Sequence, residues 1–462
     1  MDHIPTETTP LVVKAVSPPQ RKRATKATST HWLLLFFACY STLGGYYCME
    51  LPSAINLQLN ERLGSSYENW QYQLNLLFAV ATIPNIVVPI FSGLLVDVFS
   101  LRTLFTIFTA LVVIGQAIFS IGVSYSNFPI MVFGRFVTGV GFGANDLVQC
   151  KITTDWFKSN FLAFALAMNL TFGRLGTAAN FNITPMLLDK FGFDEAQACW
   201  FGLVVALTSG LAVLVTNYLD RPESRAAAGV ALEGVIETVP DSDNFNVDHD
   251  KVSCSDFSRL GTMFFALLIC VMALYGACQP FLHIASDLLQ TKYFPNDPIR
   301  AGVLQSIPDI LSAMLCPIFG LMVDRIGRRS RIIGLAGFCL CASHLIIAFT
   351  DVTPVIPLVM FGISYAAGTT ALWPSVSLLV PADRLGTAIG VGESALNTSL
   401  TVVPIIVAAL STKGSFLKVE LFFATLSAVT VIISAYMYIA GKKSGGAMEQ
   451  TIFGEPVEDE ER

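Results

Sequence analysis

The stretch Gly320-Leu-Met-Val-Asp324-Arg325-Ile-Gly327-Arg328-Arg329 decides the reading of this chain. It closes an apolar run and puts one acid and three arginines within the six residues from Asp324 to Arg329. Working outward, Pro317-Ile-Phe-Gly320-Leu-Met-Val-Asp324 repeats an earlier stretch, Pro89-Ile-Phe-Ser-Gly93-Leu-Leu-Val-Asp97. Phe361-Gly362 likewise repeats Phe133-Gly134. The offsets are 227 residues (Gly93 to Gly320) and 228 residues (Phe133 to Phe361), nearly one period. Two matches at one period argue for duplication of a larger unit.

That unit is a set of membrane-spanning runs. A hydrocarbon core about 30 Å thick takes roughly 20 apolar residues in a helix. Twelve such runs can be read, at 31–51, 71–96, 103–123, 128–149, 161–183, 199–219, 260–283, 302–323, 332–350, 355–379, 385–411 and 417–440. Composition agrees: of 462 residues 53% are apolar and 13% charged, with 34 Phe and a mean hydropathy of +0.61. Soluble domains carry about 25% charged residues, so a soluble enzyme is excluded and an all-α integral membrane protein is expected. The net charge of −6 does not point to nucleic acid, because the acids sit mostly in tails and loops. Several of the ten cysteines (Cys39, Cys270, Cys316, Cys339, Cys341) lie in apolar runs and read as small core residues. No signal peptide is expected, since residues 1–30 are polar and the first run follows Arg21-Lys22-Arg23.

Lys and Arg set the expected orientation. With the N-terminus in the cytosol, 20 of the 28 fall in cytosolic segments and six in the opposite loops, while Arg135 and Arg174 lie inside spans. This positive-inside bias places both termini in the cytosol. The polar segment 220–259 divides the runs into six and six. The expected organisation is a tail at 1–30, a six-helix bundle at 31–219, a linker at 220–259, a second six-helix bundle at 260–440 and a tail at 441–462.

The 320–329 stretch resembles, position by position, the loop signature G-x-x-x-D-R-x-G-R-R of the major facilitator superfamily. The copy from Gly93 to Asp97, followed by Arg102, is a degenerate form. The resemblance implies a fold of two six-helix bundles, with twelve transmembrane helices, rocking about a midplane site. Asp97 and Asp324 are then gating acids that cap a neighbouring helix end and pair with loop arginines in one of two conformers. Arg102, Arg325 and Arg328 are the candidate partners, although loop arginines also read as cytosolic anchoring charges.

A narrower resemblance covers most of the chain. It is carried by Tyr46-Tyr47-Cys48-Met-Glu50-Leu-Pro52-Ser-Ala54, Gly134-Arg135-Phe-Val-Thr-Gly139-Val-Gly141, Trp156-Phe157-Lys158, Arg174-Leu-Gly176 and Ala371-Leu372-Trp373-Pro374 through Leu385-Gly386-Thr387-Ala388. These look like the major facilitator superfamily domain-containing protein 1 family. The resemblance implies a lysosomal dipeptide uniporter working with a glycosylated lysosomal membrane protein as accessory subunit.

Ionisable residues inside spans are costly and are site candidates. Arg135 and Arg174 have no counterpart in the second half, where Ile363 matches Arg135. A guanidinium suits a substrate carboxylate; the other reading is a cap on backbone carbonyls or a buried ion pair. The family carries an Arg at the place of Arg174. Glu50 matches an acidic family position and reads either as an acceptor for a substrate amine or as a carboxylate in interfacial water. Asp309 and Glu393 lie deeper and read as acceptors for a cationic group or as buried Arg partners. The family's span-4 glutamate is replaced here by Gly143, and Asp146, one turn on, can supply the carboxylate or sit solvated at the span's end. Trp373 is a cavity aromatic or a packing residue. Asn397 matches the family, and Tyr46, Tyr47 and Tyr365 read as polar rims. His344 reads as a helix–helix contact, and His283 and Asp287 as part of a wet loop or a luminal pH sensor.

Glu7-Thr-Thr-Pro-Leu11-Val12 fits an acidic dileucine sorting signal for clathrin adaptors. With the resemblance it gives a lysosomal membrane address, the plasma membrane being the alternative. No cofactor, metal or nucleic acid is expected. Alternatives to dipeptide uniport are a proton-coupled organic-anion or monocarboxylate carrier and a non-transporting membrane scaffold.

Overall fold

The structure is a computed structural model that describes residues 29–88, 99–157, 162–228, 261–295, 297–380, 385–411, 415–443 and 447–449. In the N-terminal half the helices are α1 (Ser29–Ala54), α2 (Asn56–Leu63), α3 (Tyr67–Thr82), α4 (Leu101–Ser124), α5 (Phe128–Phe157), α6 (Leu162–Asp189), α7 (Glu195–Leu219) and the short α8 (Pro222–Ala228). In the C-terminal half they are α9 (Thr262–Lys292), α10 (Pro298–Gln305), α11 (Ile307–Ile326), α12 (Arg329–Phe349), α13 (Val355–Leu379), α14 (Leu385–Leu410) and α15 (Leu417–Lys443), followed by a single 3-10 turn at Ala447–Glu449.

Helix ends follow local chemistry. Ser66 and Ser100 accept from the backbone N–H three residues on, Asp194 and Gln197 form a reciprocal capping box, and Asp297 caps α10 ahead of Pro298. Each satisfies amides that a helix start leaves open. Gly327 ends α11 with φ +64° and ψ −130°, a conformation that only glycine adopts freely. The second glycine of the 320–329 signature is therefore a turn requirement.

Ten helical segments among the described residues are long and apolar enough to cross a membrane. Two more, α5 and α6, have 30 and 28 residues but are too polar to join them on composition. Those two carry Arg135, Asp146 and Arg174. Together they match the twelve expected spans, with α10 and α11 sharing one. Exposed apolar side chains such as Leu211, Phe338 and Ile432 suit a lipid surround.

Within the first half, α4 packs on α5 and α1 on α6 and α7; within the second, α12 packs on α13 and α15, and α9 on α14 and α15. The halves meet through α3 against α14 and α6 against α10 and α11, with α1 and α2 touching α9. Cross-half hydrogen bonds gather toward the end that holds the C-terminus of α1. There Ser53 Oγ donates to the carbonyls of Leu282 and His283, and Gln305 Nε2 donates to Ser53 Oγ.

Asp287 joins this seal, accepting from Tyr67 Oη and Gln71 Nε2 at 3.0 Å each. With 1% of its surface exposed, Asp287 is not in a wet loop, and neither is His283, which stacks on Phe78 at 3.6 Å between ring centres. The wet-loop expectation fails because α9 continues to Lys292, past the apolar run that ended at residue 283.

The gating signature is seen in part. Asp97 and the side chain of Asp324 lie outside the described residues. Arg102 is half-buried and Arg325 is exposed. Arg328 takes a left-handed backbone (φ 52°), and its N–H donates to the Glu449 carbonyl at 3.5 Å. Ser330 Oγ donates to the Glu449 carboxylate, and Arg331 lies 3.6 Å from it. A turn from the C-terminal tail therefore docks on the signature loop, a contact the sequence did not signal. Glu7, Leu11 and Val12 also fall outside the described residues.

Candidate functional site

A cavity of about 290 Å³ lies between the two halves, near the lower end of the range for small-ligand pockets. Of the sequence candidates, Glu50, Asp146, Arg174, Trp373, Glu393 and Asn397 line it. Arg135 and Asp309 do not.

Tyr46 on α1 organises the N-terminal wall. Its ring packs over Gly173, the neighbour of Arg174, and its hydroxyl donates to Asp146 Oδ2 at 2.8 Å. A cation and an acid thus flank one tyrosine. Asp146 faces the cavity, so the solvated helix-end reading does not hold. Its other oxygen has no partner among the described residues. Gly143 is also explained here: a Cβ at this position would run into the side chain of Asn85. The space a span-4 glutamate would use is taken by an asparagine.

Arg174 bridges the halves. Nη1 donates to Asp309 Oδ1 at 3.3 Å, and the guanidinium lies 4.1 Å from the centre of the Tyr365 ring. Tyr365 is fixed in turn by Gln279 Nε2, 2.7 Å from its hydroxyl. Asp309 is fully buried, so it serves Arg174 rather than standing in the cavity as an acceptor. Glu50 is 8% exposed with His283 Nε2 at 3.7 Å, which removes the interfacial-water reading.

Arg135 is a correction. It is wholly buried and gives its donors to three carbonyls: Nε to Leu77 at 3.3 Å, Nη1 to Cys48 at 3.1 Å and Nη2 to Met49 at 2.9 Å. Phe78 and Phe119 flank it at 5.4 and 5.9 Å. Pro52 lies inside α1 and has no N–H, so the carbonyl of Cys48, four residues earlier, loses its helical donor. Arg135 supplies one. It clamps α1 and α3 to α5 and is not placed to touch a substrate.

On the C-terminal wall, Trp373 Nε1 donates to Tyr275 Oη at 2.9 Å, and its ring faces Gly392 beside Glu393. Asn397 Nδ2 donates to the Glu393 carbonyl at 2.8 Å, leaving the Glu393 carboxylate toward the cavity. Tyr275, Gln279 and Asn85 were missed by sequence reasoning; their signal was a polar group in an apolar run. His344 is a helix–helix contact as expected, 2.8 Å from Glu420.

The arrangement can grip a zwitterion, with Arg174 for a carboxylate and Asp146 and Glu393 for ammonium groups. Comparison with known proteins bears on the class. The lysosomal dipeptide transporter MFSD1 of Homo sapiens is 28% identical over 424 residues, covering 90% of this chain and 87% of that protein. Its Danio rerio counterpart is also 28% identical, covering 88% and 86%. Among solved structures, a D-xylose-proton symporter superposes with a TM-score of 0.70 at 12% identity, over 92% of this chain and 100% of that one. The sequence profile of the Major Facilitator Superfamily matches residues 32–404, and with the two packed six-helix halves this places the chain in the Major Facilitator Superfamily of membrane transporters.

Proposed function

We propose that this protein carries dipeptides from the lysosomal lumen to the cytosol as a uniporter working by alternating access. The observation that carries the reading is the placing of Arg174 and Asp146 beside Tyr46 in a cavity between the halves. A dipeptide is a zwitterion whose carboxylate and ammonium need opposite partners, and a guanidinium offers the carboxylate parallel donors. Similarity to lysosomal dipeptide transporters over most of the chain supports the substrate class and the compartment.

With both termini in the cytosol, the seal around Ser53, Gln305 and Asp287 lies on the luminal side. Breaking that seal while the opposite end closes is the rocking step. A glycosylated lysosomal membrane protein as accessory subunit and adaptor recognition of Glu7, Leu11 and Val12 belong to the same reading.

Uptake into proteoliposomes tests it, with a dipeptide panel beside free amino acids and lactate, first at equal pH and then with an inward proton gradient. Dipeptide flux at equal pH is expected. Flux only with the gradient, or only for monocarboxylates, would replace this reading with a proton-coupled anion carrier on the same fold.

A further inference from the structure

Arg174 and Asp309 belong to different halves of the molecule, and the helices that carry them, α6 and α11, pack across the moving interface. The pair is unequal in setting. Arg174 keeps 12% of its side chain exposed and lines the cavity, while Asp309 has 0% exposed. The contact is a single bond at 3.3 Å rather than a two-bond fork, and the second carboxylate oxygen of Asp309 has no partner among the described residues. A group built only to bury a permanent ion pair would have both oxygens occupied. This one is half-engaged and can be let go.

Among the described residues, the charged partner of Asp309 is the Arg174 guanidinium. Asp309 lies in the first turn of α11, directly after the break at Ser306 that separates α10 from α11. A carboxylate is thus held at the guanidinium that the proposed function assigns to the carboxylate of the substrate.

Alternating access requires the site to pass through an occluded state in which water reaches it from neither side. An arginine without a counter-charge is very costly there. In the loaded carrier the substrate carboxylate neutralises Arg174. In the empty carrier some other anion must do so, or the empty carrier cannot return.

We propose that Asp309 is the built-in counter-ion of Arg174 in the empty carrier, that the substrate carboxylate takes the remaining guanidinium donors on loading, and that Asp309 allows the unloaded protein to reorient. The inference rests on the reading of Arg174 as the carboxylate partner. Asp309 is then a positioning residue that touches no substrate and sets the transport mode. With it the carrier completes a one-way cycle; without it the carrier moves only when loaded and becomes an exchanger.

Two assays on one proteoliposome preparation separate these modes. Net efflux is measured from loaded vesicles into substrate-free buffer. Counterflow is measured as labelled substrate entering vesicles loaded with the unlabelled compound. A dipeptide and lactate are each run as substrate. In Asp309→Asn, net efflux is expected to fall at least tenfold while counterflow stays within about threefold of wild type, and Asp309→Glu should recover net efflux.

A purely structural role would lower both modes together. Equal loss of both in Asp309→Asn and in Asp309→Ser, with the two variants monodisperse, would overturn the inference, and so would unchanged net efflux. If the wild type carries lactate and no dipeptide, the substrate reading falls. The efflux-to-counterflow ratio in lactate still decides the role of Asp309.

Discussion

Tyr46 Oη donates a 2.8 Å hydrogen bond to Asp146 Oδ2 while its ring lies over Gly173, next to Arg174. One side chain from α1 therefore spaces the acid and the cation that the proposed function sets against a zwitterion. This fixes what each should contribute. Asp146→Asn should weaken binding of a free dipeptide about tenfold, the size expected from losing a charge-assisted hydrogen bond of roughly 1.4 kcal/mol or more. Binding of the N-acetylated peptide, which has no ammonium, should be unchanged. Calorimetric titration of both ligands checks this, and an equal loss for the two would remove Asp146 from ammonium recognition.

Arg135 belongs to the frame. Replacing it with Met strands the Cys48 carbonyl, which Pro52 leaves without a helical donor, and removes a second donor from the carbonyls of Leu77 and Met49. The stranded group costs about 1–3 kcal/mol, and with the two further bonds lost a stability loss of roughly 3 kcal/mol is expected. Thermal unfolding in detergent should show a large drop in midpoint. Substrate preference in the surviving fraction should match wild type, and altered preference at normal stability would contradict the clamp.

The sequence showed more of the frame than of the site. Repeated apolar runs and the 320–329 signature are enough to read two six-helix halves, because lipid forces every span to be long and apolar. Charges inside spans marked Arg135, Arg174 and Asp309, since such groups stand out against that background. What they touch could not be read. Arg135 answers a proline on another helix, and Arg174 meets an aspartate 135 positions away. Both pairings arise only when helices from distant parts of the chain pack. Asp287 was misjudged for a related reason: its burial comes from α3 folding against α9, which the hydropathy of its own segment cannot reveal.

The seal near Ser53 should be adjustable through Asp287. Removing its two cross-half bonds with Asp287→Ala weakens the closed end and shifts the population toward the opposite conformer. Cys150 is exposed and lines the cavity. Its labelling by a membrane-impermeant maleimide should slow several-fold in this variant, measured on a background with Cys254, Cys339 and Cys341 replaced. Faster or unchanged labelling would mean that Asp287 does not hold the seal.

Glu393 adds an acid from the second half to the cavity wall. Glu393→Gln should reduce uptake of a Lys-containing dipeptide relative to an Ala-only dipeptide by about tenfold, equivalent to roughly 1.4 kcal/mol. Competition uptake with the two peptides at equal concentration measures that ratio. A ratio equal to that of wild type would assign Glu393 no part in selecting charge.

The central claim is that Arg174 grips the substrate carboxylate, and the most direct measurement compares uptake of a dipeptide with that of its C-terminal amide in wild type and Arg174→Gln. The account predicts that wild type prefers the free acid by at least tenfold and that the variant loses this preference, taking up both poorly and alike. A variant that still discriminates between acid and amide would contradict it.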